Sequence, residues 1–106
     1  PKVILVGEPF IDFYPNRQIF SGQVKNVGEI RADFVRIIGN LFDQTTSITG
    51  TDSIFVKGTR VVYETNVVAD TALEPGQTAP YTLTVSITKG RKAEYHTMDI
   101  HWEETK

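Results

Sequence analysis

The chain has 106 residues, the length of one domain, and its 40% hydrophobic residues suffice for one buried core. It contains no cysteine, which excludes disulfides, thiolate metal sites and cysteine nucleophiles. The net charge is −2 and the charges are dispersed, so we expect no nucleic-acid partner, which would require concentrated Lys and Arg.

The first two elements are short. Residues 2–6 form an apolar strand that ends at Gly7. Residues 10–14 lie between Pro9 and Pro15, and because proline cannot donate to a ladder, we expect an edge strand or an extended loop there. The apolar side chains of this segment must cover the domain's own core, a second domain or a partner, and we favour the core.

Two longer strands follow. Residues 18–26 place Phe20 and Val24 on one face. Residues 32–42 carry apolar side chains on both faces, which is typical of a central strand. Gly39 within this strand indicates a bulge or a close approach of another backbone or side chain.

The middle of the chain is less regular. Ile48 and residues 54–56 predict short edge strands around Gly50, and residues 59–69 predict one longer strand. The dipeptide Pro75-Gly76 then predicts a turn.

The clearest strand covers residues 81–88, in which apolar and hydroxyl side chains alternate strictly. Residues 89–92 predict a hairpin tip that leads into a last strand over 94–102. The hydroxyl side chains of the strand over 81–88, which we call the hydroxyl ladder, would then lie beside Thr97 and Asp99. They belong to Thr82, Thr84, Ser86 and Thr88. These elements predict one all-β domain over 1–106, an immunoglobulin- or fibronectin-III-like antiparallel β-sandwich of about seven strands.

Three motifs over roughly residues 18–88 resemble a known family. Residues 22–28 (Gly-Gln-Val-Lys-Asn-Val-Gly), residues 41–43 (Leu-Phe-Asp), and residues 73–77 (Leu-Glu-Pro-Gly-Gln) followed by Tyr81 are similar to the motifs of FxLYD-type domains. The resemblance implies an immunoglobulin-like sandwich of a bacterial or archaeal protein outside the cytoplasm, lipid-linked or membrane-anchored. It carries no catalytic residues over to this chain.

The same motifs have a physical interpretation. Asn26 and Gly28 build a turn between two strands, and Asp43 caps a turn by accepting backbone N–H groups. Leu73 closes the bottom of the sandwich, while Tyr81 begins an inward-facing row and is placed to hold a neighbouring loop with its hydroxyl. The motifs therefore specify a fold rather than a site.

The chemistry-bearing residues do not converge in the predicted sheet. His96 and His101 are five apart in one strand and face opposite sides, so they cannot chelate one metal ion. Thr97, Asp99 and His101 share a face, but neighbours at i and i+2 do not form a catalytic triad.

Calcium binding by three aspartates is a further alternative. Asp43, Asp52 and Asp70 would form such a site if their loops met at one end of the sandwich, although no dedicated calcium-loop spacing is present. We favour the interpretation that these aspartates cap turns.

We therefore expect a non-catalytic module that serves as a spacer or a protein-interaction domain, with no catalytic, cofactor-binding or metal-binding residues. The alternative is a carbohydrate-binding module that stacks sugars on aromatic side chains such as Tyr14, Tyr95 or Trp102. A small hydrolase or metal enzyme ranks last.

Context and partners are also expectations. The chain begins at Pro1, and we interpret it as a fragment of a longer extracytoplasmic protein whose anchor lies outside it. The partner is an unknown protein or a neighbouring domain. The strand that ends at His101-Trp102 contains no proline, so at a sheet edge it would be open to pairing, including weak self-association.

Overall fold

A computed structural model describes residues 1–105, and these residues form nine strands and no helix. All strand pairs are antiparallel, so the all-β antiparallel class is confirmed, with nine strands in place of about seven. The strands are β1 (Val3–Leu5), β2 (Phe10–Tyr14), β3 (Arg17–Asn26), β4 (Asp33–Phe42), β5 (Ile48–Phe55), β6 (Thr59–Val62), β7 (Val68–Ala72), β8 (Thr78–Ser86) and β9 (Tyr95–Glu103).

The first sheet is built around β3. One edge of β3 pairs with β2 near its beginning and with β1 near its end, while β8 pairs along nearly the whole opposite edge. The register sets Phe20 opposite Leu83 and Val24 opposite Ala79, so the inward rows of β3 and β8 coincide. This alignment gives the sheet one apolar face.

The second sheet has β4 at its centre, with β5 on one side and β9 on the other. The central position predicted for residues 32–42 is therefore confirmed. A separate two-stranded ribbon of β6 and β7 connects to β4 through a bridge between Ala32 and Leu73.

The apolar faces of the two sheets pack together as a β-sandwich. Val35, Ile37 and Leu41 of β4 are fully buried, and a Cβ at Gly39 would lie 2.8 Å from Val85 Cγ2. The predicted close approach at Gly39 is thus confirmed, and it lets β4 lie near β8. The remaining members of the core are Val3, Phe20, Val24, Ala32, Val56, Leu73, Ala79, Tyr81 and Leu83.

The sandwich is closed on one side and open on the other. Where β5 meets β8, the Thr88 N–H donates to the Thr49 carbonyl at 2.7 Å, and the Ser86 N–H donates to Asp52 Oδ2 at 3.0 Å. On the opposite side, β9 approaches β1, and the His96 ring of β9 lies 5.2 Å from the ring of Phe20, whose neighbour in β2 is Ile11. We call the gap between β9 and β2 the open seam.

Two predictions in the middle of the chain were wrong. Residues 48–55 form the single strand β5, which runs through Gly50. Residues 59–69 do not form one strand, because the chain reverses between β6 and β7. The Tyr63 N–H donates to the Val67 carbonyl at 2.8 Å, and Asn66 adopts a φ of 63° that closes this turn.

The predicted hairpin over residues 89–92 was also wrong. This segment crosses from β8 in the first sheet to β9 in the second. The hydroxyl ladder of β8 therefore lies beside β3, with Thr84 opposite Ile19, and not beside Thr97. A local turn signal such as the one at residues 89–92 does not reveal which sheet the next strand joins.

Of the two alternatives predicted for the segment between Pro9 and Pro15, an edge strand or an extended loop, the edge strand is correct, because β2 pairs only with β3. Our preference for core coverage was wrong for most of it. Ile11 packs against the core, but Phe10 is 68% exposed and Phe13 is 71% exposed. Phe10 lies opposite Ser21 on the outer face of the first sheet, and Phe13 shares the inner face of Ile11 but is left uncovered.

Candidate interaction edge

The backbone groups of β4 show which of its residues face β9. The Val35 carbonyl accepts a hydrogen bond from the N–H of Val56, which continues β5, while the Phe42 carbonyl accepts one from Glu94, which precedes β9. Backbone groups point alternately to the two edges of a strand. The N–H and C=O groups of the even-numbered residues of β4 therefore point toward β9, and those of the odd-numbered residues point toward β5.

The register then identifies the free edge of β9. Ile38 lies opposite Asp99 and Asn40 lies opposite Thr97, so Asp99 and Thr97 bond to β4. The residues that alternate with Thr97 and Asp99 are His96, Met98 and Ile100. Their N–H and C=O groups point away from β4, toward the free edge of the sheet. Within residues 1–105 these groups have no hydrogen-bond partner.

The free edge of β2 is much better guarded. The Val6 N–H donates to the Gln23 carbonyl, so the odd-numbered residues of β3 face β1 and β2. By the same alternation, Ile11 and Phe13 of β2 point outward, and Pro9 and Pro15 occupy the flanking positions. Only two donors therefore lie between the two prolines, whereas the exposed run of β9 has no proline.

Side chains of β9 alternate between an apolar and a polar face. Met98, Ile100 and Trp102 point inward and pack, half-buried, against the core. Asp99 and His101 point outward and are exposed. Strand β9 thus offers an unpaired backbone, an apolar inner row and a polar outer row.

The open seam adds apolar surface beside this edge. The His96 ring lies 5.2 Å from the Phe20 ring, and Phe20 pairs with Ile11, so the first half of β9 lies across the seam from β2. Phe13 shares the face of Ile11 but stays exposed. A chain segment placed in the seam would therefore contact apolar side chains from both sheets.

The edge is acidic. Glu94, Asp99, Glu103 and Glu104 lie on β9 or next to it, and residues 93–105 contain no Lys or Arg. Two cations lie close by: Lys92 lines a shallow depression together with Glu94, and Arg36 of β4 lies opposite His101. The unpaired backbone is therefore exposed in a negative field.

The outer face beside the edge carries a polar network. Asn40 donates to Thr97 Oγ1 at 3.3 Å and to Asp99 Oδ2 at 3.4 Å, and accepts from the Thr51 hydroxyl at 2.8 Å. Asp99 therefore pairs with Asn40 on the neighbouring strand. The network joins all three strands of the sheet across its outer surface.

The carboxylate of Asp43, a candidate calcium ligand in the sequence, forms hydrogen bonds within its own turn. Asp43 Oδ1 accepts from the Thr45 N–H at 2.9 Å and from the Ser47 N–H at 3.1 Å, which confirms the predicted turn cap. Hydrogen bonds from Thr45, with an ion pair to Arg91, hold the pKa of Asp43 well below its usual range. Within residues 1–105 no three His, Asp or Glu side chains are grouped so as to hold a metal ion.

A buried carboxylate that the sequence did not single out lies at the far end of β4. Asp33 accepts from Arg31 Nε at 2.8 Å, from the Tyr63 hydroxyl at 2.7 Å, and from Thr105. Burial alone would raise the pKa of Asp33, but the hydrogen bonds from Thr105, Tyr63 and Arg31 outweigh burial and lower it. Burial and the adjacent Asp33 raise the pKa of Tyr63 to about 12.

A bulge next to Asp33 shapes the end of the sheet. The β4–β9 register shifts between Asp33 and Arg36, and Phe34 adopts a φ of 50°, which is rare for an aromatic residue. Its ring stacks on Tyr63 at 4.8 Å. Beside it lies a shallow depression of about 340 Å³, lined by Phe34, Arg36, Phe55, His101, Trp102 and Glu103.

The three aromatic side chains expected to stack on sugars lie on two strands, and two of them lie at opposite ends of β9. Tyr14 is in β2, where the Arg17 guanidinium lies 4.1 Å from its ring centre. Tyr95 begins β9 and Trp102 is close to its end, roughly 23 Å away along an extended strand. The three rings thus do not form one platform, and only Trp102 borders the depression.

Comparisons with protein-family models, with curated proteins and with solved structures give no match to this chain. Residues 1–105 contain no helix that is long and apolar enough to cross a membrane.

Proposed function

We propose that this chain is a non-catalytic, immunoglobulin-like module of an extracytoplasmic protein and that it binds a protein partner by adding a strand to β9. The observation that carries the proposal is the run of unpaired backbone groups at His96, Met98 and Ile100. An extended segment paired there gains main-chain hydrogen bonds, and its alternate side chains enter the open seam. The other strands then serve as a rigid support and spacer.

The non-catalytic part of the proposal is supported by the use of the ionisable groups. The side chains whose pKa values are shifted are engaged in folding contacts: Asp43 caps a turn, Asp33 joins three segments, and Tyr63 donates to Asp33. Tyr81 is packed in the core, where burial raises its pKa. These four side chains make contacts that stabilise the fold, and they are not arranged around a common point where a substrate atom could react.

The immunoglobulin-like and extracytoplasmic parts rest on the resemblance to FxLYD-type domains. Two of its motif residues, Asn26 and Leu73, have the folding contacts that their physical interpretation requires, whereas the hydroxyl of Tyr81 makes no hydrogen bond to a neighbouring loop among residues 1–105. Buried Asn26 accepts from the Gly28 N–H at 3.0 Å and donates to the Leu73 carbonyl at 2.9 Å, and Leu73 itself is fully buried. These contacts support a common architecture, from which we propose the compartment.

An unbiased selection of displayed peptides tests the binding mode. We would use random peptides of about ten residues, long enough to pair along β9. We expect the selected peptides to bind the intact chain and His96→Ala, which keeps the backbone N–H, but to lose binding to His96→Pro, which lacks it. Peptides that bind all three proteins equally would contradict strand addition at β9.

Amide exchange of the unmodified chain provides a test that does not depend on the folding of a variant. The amides of His96, Met98 and Ile100 are expected to exchange rapidly alone and to become protected when a selected peptide binds. Protection of Ile11 and Phe13 in their place would assign binding to β2.

A carbohydrate-binding function is the second candidate, and the depression beside Phe34 favours it. Trp102 and Phe55 supply apolar rings there, and Arg36 and Glu103 supply hydrogen-bonding groups. Saturable binding in a glycan array, with a change in the fluorescence of Trp102, the only tryptophan, would support this function.

A further inference from the structure

Strand β9 imposes a pattern on any segment that pairs with it. A strand added to a sheet lies 4.7–4.9 Å from its neighbour, and its side chains alternate between the same two faces. Side chains of the added segment that share the face of Met98 and Ile100 enter the seam, and those that share the face of Asp99 stay outside. The chemistry of the partner can therefore be derived separately for each face.

The inner face requires apolar side chains. Met98, Ile100 and Trp102 are only partly buried on β9, and partly buried Ile11 and exposed Phe13 lie across the open seam. Apolar side chains that fill the seam remove this surface from water, which is favourable. Polar side chains there would lose water without gaining a hydrogen-bond partner.

The outer face requires basic side chains. Asp99 and Glu103 point outward from β9, and Glu94 and Glu104 flank its ends. Opposite charges on adjacent strands stabilise their pairing, and like charges oppose it. A second copy of this chain brings the same acidic edge, so charge favours a different, basic partner over self-pairing.

We infer that the free edge of β9 accepts an extended peptide segment of a partner protein in which apolar residues alternate with Lys or Arg. The inference rests on the proposed function and adds the chemistry of the partner. The unpaired backbone provides the hydrogen bonds, the open seam selects the apolar residues, and the acidic outer row selects the basic ones. The prolines beside β2 direct the segment to β9 rather than to the opposite edge.

Three synthetic peptides of equal length test the inference by calorimetric titration of the intact chain. The first alternates Val and Lys, the second alternates Val and Glu, and the third has the composition of the first in scrambled order. We expect the Val/Lys peptide to bind at least about tenfold tighter than either other peptide, and its affinity to fall as salt is raised. If the scrambled peptide bound as tightly as the Val/Lys peptide, binding would depend on net charge and not on the alternation of residues, and the inference would be overturned.

Variants of the edge identify the contacts. His96→Pro should weaken binding of the Val/Lys peptide at least about tenfold, and His96→Ala should retain it. Asp99→Asn should reduce the salt dependence while leaving binding in place. Unchanged salt dependence in Asp99→Asn would contradict the predicted role of the acidic row.

The inference and the proposed function can fail separately. If displayed peptides bind at the β9 edge but contain no basic residues, the partner chemistry is wrong and strand addition stands. If the Val/Lys peptide binds His96→Pro as well as the unmodified chain, and β9 amides stay unprotected, both are wrong.

Discussion

Two buried polar side chains, Asn26 and Asp33, connect segments that are distant in sequence. The Asn26 amide donates to the Ile30 carbonyl at 2.8 Å and to the Leu73 carbonyl at 2.9 Å, and its oxygen accepts from Gly28. Asp33 likewise joins the start of β4 to the β6–β7 turn through Tyr63 and to the end of the described chain through Thr105. Both residues are fully buried, so loss of either leaves partners without a hydrogen bond inside the protein.

Asp33→Asn should destabilise the domain in a pH-dependent way. The folded-state pKa of Asp33 lies below its ordinary value, so its ionised form contributes stability above the unfolded-state pKa of about 3.9. That stability disappears as the pH falls through the folded-state pKa. We expect the variant to lose about 1–3 kcal/mol of unfolding free energy at pH 7 and the difference to shrink in acid.

Urea denaturation of both proteins between pH 7 and pH 2.5 measures this difference. Asp43 also has a lowered pKa, but it is present in both proteins and cancels in the comparison. A difference that stays constant as the pH falls would show that the charge of Asp33 is not the cause.

Among the strands, β2 and β9 show opposite solutions to an exposed edge. Prolines flank β2 on both sides and leave only the N–H groups of Ile11 and Phe13 free, whereas β9 relies on acidic side chains next to its free backbone. Two hydrogen bonds, accepted by the Val35 carbonyl on the β5 side and by the Phe42 carbonyl on the β9 side, show which backbone groups of β4 face β9. The register between β4 and β9 then gives the direction of each N–H group in β9.

Proline substitution along β9 should therefore alternate in its effect. His96→Pro removes an N–H that points away from the sheet, so we expect it to be about as stable as His96→Ala, which likewise lacks the ring contact with Phe20. Thr97→Pro removes a donor to β4 and should cost about 3 kcal/mol or more. Thermal unfolding followed by circular dichroism measures both variants, and equal destabilisation by the two prolines would contradict the assigned orientation of β9.

At the scale of the whole molecule, the sandwich is asymmetric. The β5–β8 side is joined by hydrogen bonds at Thr49 and Asp52, while the β9–β2 side leaves apolar surface exposed. Exposed apolar surface next to an unpaired edge favours association, and the negative charge of that edge opposes pairing with a second copy. Self-association therefore depends on the balance of these two effects.

Light scattering at different salt concentrations tests that balance. At neutral pH and low salt we expect a monomer, because the acidic edges repel each other over roughly 10–30 Å. Salt near 0.5 M screens that repulsion, so weak dimers should appear at high protein concentration, and His96→Pro should abolish them. Dimers that persist in His96→Pro would show that self-association uses another surface.

The sequence by itself determined the elements in which side-chain periodicity reports burial directly. The alternation over residues 81–88 identified β8 and its buried face, and apolar residues on both faces of 32–42 identified the central strand β4. Pro9 and Pro15 limited the segment between them to an edge strand or an extended loop, because a residue without an N–H cannot donate to a second neighbouring strand. Asp43 was recognised as a turn cap because its partners are only a few residues away.

Only the tertiary structure decided features that depend on which strands become neighbours. The turn at residues 89–92 is compatible with a hairpin or with a crossing between sheets. The chain crosses between the sheets because β8 pairs with β3 and β9 pairs with β4. Burial of Asp33 among Arg31, Tyr63 and Thr105 joins segments up to 72 residues apart. The free edge of β9 is likewise invisible in its own residues, because the direction of each N–H follows from the register against β4. Periodicity distinguishes the two faces of a strand, whereas only its neighbours determine which edge is paired.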